Sequence, residues 1–436
     1  IAPDLDAYRA GVERFLDESA DIADERFADL FSAEALEGLE AVTPFGSPLR
    51  NRALARFAAE GHLRRASADE GAEIEEIVRL PLVGGGEGAV ALRDVDALLA
   101  AEPDRGRRRE LQGARLRAID ANLARLVGEA RLRRDDAARA LGARTATALL
   151  ARAADIALTI TSGDGERVLS ETDDVAARAM DRSARDALGL GLDPPEAADL
   201  PRLVRAPQLE ADLPDGAAGA ALERTCELLG LPGAPRASGG PAGLAGYAHA
   251  LRTAGIALAQ AGASGRLPIE ARRLGDPALR RAHGFLFEGL LCEPAWLSRV
   301  LGAPEDTAIT RAARTVRLLG VRAAAARAAA LGATGDEGRL ARATCVGWPD
   351  ELLLADELAG LRAAADLRAR ALCAVLRAHL RGTFGERWFA EAGAGVFLRE
   401  LWLEAGDIDP QGLAVELGAG GLDPAAIVAE ALEGLD

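Results

Sequence analysis

The sequence predicts a mostly α protein: a two-lobed helical body with one small β-hairpin near residues 77–92. Three observations point there. Apolar residues recur at helical spacing along most of the 436 residues. Hydrophobic residues make up 49% of the chain but aromatics only 4%, so the core has to be built from Leu, Ala and Val. Such a core suits closely packed helices, because Ala and Leu lose little rotamer freedom there. One short segment alone breaks the helical pattern.

The elements follow in order. Leu5, Tyr8, Val12, Phe15 and Leu16 fall on one helical stripe behind Asp4, an N-cap residue type. Ile77 to Leu82, then the run Gly84-Gly85-Gly86-Glu87-Gly88, then Ala89 to Leu92 reads as a hairpin with a glycine tip. A phosphate loop would end in Lys-Ser/Thr and open a helix after a long strand, and this segment does neither. Glu110 to Leu141 reads as one long amphipathic helix or two joined ones, with Leu111, Leu116, Ile119, Leu123 and Leu126 as its stripe. Ser170 to Leu188 reads as a helix stopped by Gly189. The Pro- and Asp-rich stretch from Gly191 to Pro207 is the expected join between two lobes, 1–205 and 206–436. Leu231 to Gly243 reads as a flexible connection, and Asp423-Pro424 opens a last short helix. No internal repeat of fixed period is seen.

Composition narrows the function classes. All 52 basic residues are arginine, and the formal net charge is −16. A strongly acidic surface disfavours general binding to nucleic acid or anionic lipid. The cysteines Cys226, Cys292, Cys345 and Cys373 are widely spaced, as small core residues of a reducing compartment are. No apolar run is long enough to span a membrane, and the run Ala323 to Ala330 is broken by Arg327. The first residues, IAPDLDAY, carry no signal-peptide pattern, so the expected location is cytoplasmic.

The most informative stretch runs from Gly246 to Leu301. It reads GYAHALRTAGIALAQAG and then LPIEARRLGDPALRRAHGFLFEGLLCEPAWLSRVLG. It resembles the catalytic region of the thimet oligopeptidase and oligoendopeptidase F class of zinc peptidases, in a bacterial subgroup. Members carry a helix of the form Y-x-x-L-L-H-E-x-G-H-A-L. A segment like L-P-x-E-x-R-x-L-G-D-x-x-x-T-E-x-x-A-F-L-F-E-x-L-L-x-D-P-A-W-L follows it. Leu267, Pro268, Glu270, Arg272, Leu274, Gly275 and Asp276 fit that segment, and so do Phe285 to Glu288, Leu290, Leu291 and Pro294 to Leu297. AEGHL at Ala59 to Leu63, RDVDALLAAEPDRGRRREL at Arg93 to Leu111, and FGERWF with FLRELW near the C-terminus extend the likeness over nearly the whole chain.

The resemblance implies a zinc site that these residues cannot build. The chemistry needs two histidines one helical turn apart, a glutamate beside the first as general base, and a carboxylate ligand from a neighbouring helix. Gly255 fixes the register. The first histidine position is then Arg252, the base position Thr253, the second histidine position Ile256 and the third-ligand position Arg281. Arginine stays protonated and offers no lone pair, and threonine is no base at neutral pH. No metal ligand and no catalytic residue is therefore expected, and no cofactor. The family's substrate-binding strands have only the Leu231 to Gly243 connection in their place. Its tyrosine-bearing loop corresponds to ELLLADELAGLRAAADLRARAL, which has no tyrosine.

These losses favour a non-catalytic protein: a scaffold, a subunit of a complex, or a binder of a peptide or protein partner in the former cleft. A second reading is a repurposed enzyme or anion-binding protein in which Arg252 and Arg281 converge on an anion, with His249 and His283 nearby. Internal acids such as Asp276 or Glu288 are the competing partners for those arginines. A residual zinc peptidase is a third and weaker reading. His283 and Cys292, nine residues apart, would not share a helix face, which argues against a thiol nucleophile.

Overall fold

The computed structural model describes residues 4–43, 47–84, 89–191, 193–214, 216–233, 243–303, 308–332, 338–348, 359–404 and 406–435. Local chemistry sets many of the helix ends. Asp4 accepts from the backbone N–H groups of Asp6 and Ala7 and starts the helix Leu5–Asp17. Asp423 does the same through Ala425 for Pro424–Leu432, where proline takes the first turn. The expected 110–141 helix is two, Arg105–Asn122 and Ala124–Ala140, joined at Leu123. The helix stopped by Gly189, whose φ is 64°, starts well before Ser170 and spans Leu158–Leu188. Its first half lacks a strong stripe in sequence and is held by tertiary packing. Gly165 lies so close to the helix Ala308–Ala329 that an added Cβ would meet the Ala325 carbonyl oxygen at 2.5 Å.

The hairpin is present but shorter than its apolar run. Pro81–Val83 pairs antiparallel with Val90–Ala91, while Ile77 to Arg79 stay in the helix Ala68–Arg79. There the β-branched pair Ile77 and Val78 packs beside Val83, Leu92, Val95 and Leu99, so burial overrides strand propensity. Gly84 begins the tip at φ 100°, and residues 85–88 lie outside the described residues.

The stretch from Gly191 to Pro207 is more structured than its composition suggests. It contains a 3₁₀ turn, Ala197–Asp199, and a helix, Leu200–Arg205. Asp199 and Arg108 are both 1% exposed, and Arg108 donates from Nε and Nη2 to the Asp199 carboxylate at 3.0 and 2.7 Å. Such a pair is worth most when left intact, since removing one partner strands a buried charge.

The motif segment Leu267 to Asp276 is one place where the first part of the chain meets the second. Ile269 and Leu274 are buried among Tyr8, Phe15, Phe31, Leu54 and Leu150. Glu270 is fully buried and receives Arg9 at 2.8 Å. Arg272 reaches Glu13 at 2.5 Å, and Arg273 reaches Asp17 at 2.5 Å. Asp276 caps the helix Pro277–Glu288 through the Ala278 N–H and accepts from Arg368 at 2.9 Å. The core of the second part is built on Trp296, Trp388 and Trp402 with Phe287 and Phe389. Trp296 donates to Thr225 at 3.0 Å, which gives its buried indole N–H a partner. No helix among the described residues is long and apolar enough to cross a membrane.

Candidate functional site

Two helices carry the positions that the zinc motif would occupy. Gly243–Gly262 holds His249, Arg252, Thr253, Gly255 and Ile256, and Pro277–Glu288 holds Arg281 and His283. Glycines set their crossing. A Cβ on Gly255 would meet the His283 carbonyl oxygen at 2.4 Å, and a Cβ on Gly284 would meet Ile256 Cγ1 at 2.9 Å. The motif's glycine thus has a packing duty independent of metal: it lets the two backbones touch.

The polar side chains at these positions do not form a metal site. Arg252 donates from Nε and Nη2 to the two carboxylate oxygens of Glu288 at 2.6 and 2.5 Å, a bidentate pair. Its guanidinium also stands 5.2 Å from the Phe285 ring centroid, and Arg370 stands 4.0 Å from the same ring. Burial opposes the charge on Arg252, but Glu288 outweighs it and holds the pKa above the ordinary value. Arg281 turns to the helix Ala359–Phe384, where Nη1 donates to Asp366 at 2.5 Å and to the Arg362 carbonyl at 3.3 Å. Each arginine has its own internal carboxylate. Of the two acids weighed from sequence, Glu288 does take Arg252, whereas Asp276 goes to Arg368. Asp366 has no local sequence signal, since its partner lies 85 residues away.

Thr253 is exposed, and Ile256 is half-buried against Gly284. His249 is exposed. His283 is fully buried, with Nδ1 2.9 Å from the Leu279 carbonyl oxygen and its ring edge-on to Trp402. Burial pulls its pKa down to about 4, so it sits in the core as a neutral ring. Burial pushes the Cys292 thiol up, despite the nearby Arg317, which leaves no reactive thiolate there. Among the described residues no group of three or more His, Cys, Asp and Glu side chains could hold a metal ion. The residues present therefore do not fit zinc: two cations, a hydroxyl and an alkyl group stand where imidazoles and carboxylates would be needed.

A cleft of about 530 Å³ opens beside these positions. Ile256 and Arg281 line it. The facing wall comes from Pro48–Ala66, through Arg56, Phe57 and Glu60, and from the end of Ala146–Ala154. That size falls in the roughly 300–1,000 Å³ typical of ligand pockets. Sequence reasoning missed this facing wall, because its two parts, Arg56 to Arg64 and Leu150 to Ile156, lie far back in the chain from the motif and no local pattern marks them. The connection at residues 234–242 and the first part of the tyrosine-free segment, residues 349–358, lie outside the described residues.

Comparison with known proteins places this geometry. No family model matches the sequence, and no curated protein matches it. A solved structure assigned as an oligoendopeptidase F from Bacillus anthracis str. Ames matches with a TM-score of 0.61 at 11% identity, covering 98% of this chain and 88% of that one. The chain thus has the oligoendopeptidase fold over nearly its full length.

Proposed function

We propose that this protein is a non-catalytic member of the oligopeptidase fold that binds a peptide, or an extended segment of a partner protein, in the retained cleft. One observation carries the reading. A cleft is present, and two of the four positions that would hold or activate zinc, Ile256 and Arg281, line it with an alkyl group and a guanidinium. An alkyl group and a guanidinium at these positions supply neither the imidazole nor the carboxylate with which the zinc motif would hold the metal that activates water. The two lobes we infer, 1–205 and 206–436, each supply one wall. The role as a scaffold or complex subunit follows if the bound segment belongs to a larger protein.

The anion-binding alternative based on Arg252 and Arg281 gains no support from the ion pairs, because Glu288 and Asp366 already satisfy those two guanidiniums. The test is a peptide-library binding screen run beside a cleavage assay with added zinc. Saturable peptide binding without cleavage is the expected result. Zinc-dependent cleavage would overturn the proposal, and it would be abandoned equally if no peptide bound.

A further inference from the structure

The cleft carries a charge opposite to that of the whole molecule. The chain is strongly acidic, with a net charge of −16, yet six guanidiniums line the cleft, from Arg56, Arg64, Arg280, Arg281, Arg362 and Arg368. Among the described residues two carboxylates line it, those of Glu60 and Asp276. Low-dielectric walls focus such a field into the opening and raise the local concentration of an oppositely charged ligand.

Two of these cations, Arg56 and Arg280, are held in a way that leaves much of their charge uncancelled. Arg56 donates from Nη2 to the carbonyls of Leu274 and Gly275 at 2.6 and 2.8 Å, and its nearest carboxylate, on Glu60, is 3.8 Å away. Arg280 donates to the carbonyls of Arg273 and Leu274 at 2.8 and 3.2 Å. Carbonyl dipoles fix these two heads in place without neutralising them. Burial lowers the pKa of Arg280 to about 10, with the charges of Arg56 and Arg281 adding to it. Burial also lowers that of Arg56; Glu60 and Asp276 oppose the shift, while Arg368 and Arg281 reinforce it. The cluster behaves as cations crowded against one another, a situation that a bound anion relieves.

The rest of the lining distinguishes among anions. Phe57, Leu150, Ile156, Ile256 and Leu361 give the cleft apolar surface between the guanidiniums. Phe57 is its aromatic ring, and that ring is engaged with Phe15 and Phe31 at centroid distances of 5.8 and 5.4 Å. It offers no open platform of the kind on which nucleotide bases stack. Carboxylate side chains spaced by apolar ones match both features.

Resting on the peptide-binding reading above, we propose that the cleft selects an acidic peptide segment, one in which Asp or Glu side chains alternate with apolar residues. Arg64 is exposed at the solvent side and is the head open to such a ligand, while Arg281 and Arg368, held in partly exposed pairs with Asp366 and Asp276, would exchange those partners for it. Arg56 and Arg280 supply fixed charge behind them.

The experiment uses the full chain and two labelled peptides identical except that Glu and Asp in one are Gln and Asn in the other. Fluorescence anisotropy at low salt should show the acidic peptide binding on the order of tenfold more tightly, the effect of one or two charge-assisted hydrogen bonds. The preference should shrink as salt rises. The variant R64Q/R281Q should lose most of the preference, read as the ratio of its affinities for the two peptides. Circular dichroism of that variant must match the wild type, and the single variant R64Q, at an exposed position, serves if the double variant unfolds. Equal binding of the two peptides would overturn the acidic selectivity and leave the peptide-binding reading standing. Binding of neither would remove that reading itself. A single-stranded oligonucleotide binding more tightly than the acidic peptide would overturn the assignment of ligand class.

Discussion

Two arginine clusters in this molecule meet opposite fates. Near the C-terminus, Arg377 and Arg381 are enclosed by Glu293 and Glu433. Arg377 Nε donates to Glu293 at 2.7 Å and also pairs with Glu433, and Arg381 bridges the same two acids at 2.5 and 2.8 Å. Burial opposes the charge on Arg377, but Glu293, Glu430 and Glu433 outweigh it, so its pKa is raised. In the cleft, Arg56 and Arg280 rest on carbonyl oxygens, and burial lowers their pKa values, with the charges of neighbouring arginines adding to the shift. The same side chain is internal cement in one place and unspent charge in the other. What separates the two is the supply of carboxylates, and a surplus of buried-side cations around an open cleft is a mark of ligand recognition.

The comparison can be broken in several ways, beginning with the largest effect. Replacing Arg377 and Arg381 together with Met should destabilise the protein by about 3–5 kcal/mol in chemical denaturation, because Glu293 is 3% exposed and would lose both of its guanidinium partners. A loss under a kilocalorie would show that the network is only decorative.

Acid titration gives the next effect. His283 is neutral in the folded chain down to about pH 4, while in the unfolded chain it takes a proton near its ordinary value of 6.5. The unfolded state therefore binds more protons between those values, and stability falls as the pH drops from 6.5 toward 4, by about 3 kcal/mol in all. His283→Gln should flatten that window specifically. Glu433 acts lower down. Burial would raise its pKa, but Arg377 and Arg381 hold it at about 2, so its contribution is present above 4.5 and lost as the pH falls from there toward 2. A wild-type stability curve that is flat from pH 6.5 to 4 would contradict the buried neutral imidazole.

Arg252→Met comes third. The Arg252 side chain is 43% exposed, so solvent screens its pair with Glu288, and the expected loss is about 1 kcal/mol. The smallest effect belongs to the cleft. Arg281→Gln breaks a half-exposed pair with Asp366 but removes a charge that crowds Arg56 and Arg280, so stability should stay within about 0.5 kcal/mol of the wild type. A large loss there would place Arg281 with the cement and not with the ligand surface.

Much of the fold was legible in the sequence because its signals are local. Asp4, Gly189 and Asp423-Pro424 mark helix ends by their own chemistry. The segment Leu267 to Asp276 marked its own importance through its motif, although its duty as the seam that receives Arg9 and buries Ile269 could not be read from it. The first half of the helix Leu158–Leu188 and the buried Arg108–Asp199 pair were not legible, since both depend on partners distant in the chain. The site was legible in part. Counting from Gly255 singled out Ile256 and Arg281, and the structure puts both on the lining of one cleft. Counting could not say that Arg252 is committed to Glu288, nor that a helix from the opposite end of the chain brings Arg56 to that cleft.

We propose that the positions matched to the zinc motif, Arg252, Thr253, Ile256 and Arg281, cannot hold a metal while the cleft beside them binds a ligand. Metal analysis of the purified chain, after incubation with excess zinc and gel filtration, tests that claim most directly. The account predicts that zinc is lost on the column and that the protein remains folded without it. A full equivalent of zinc retained per chain, released on substituting residues of the Gly243–Gly262 or Pro277–Glu288 helix, would contradict it.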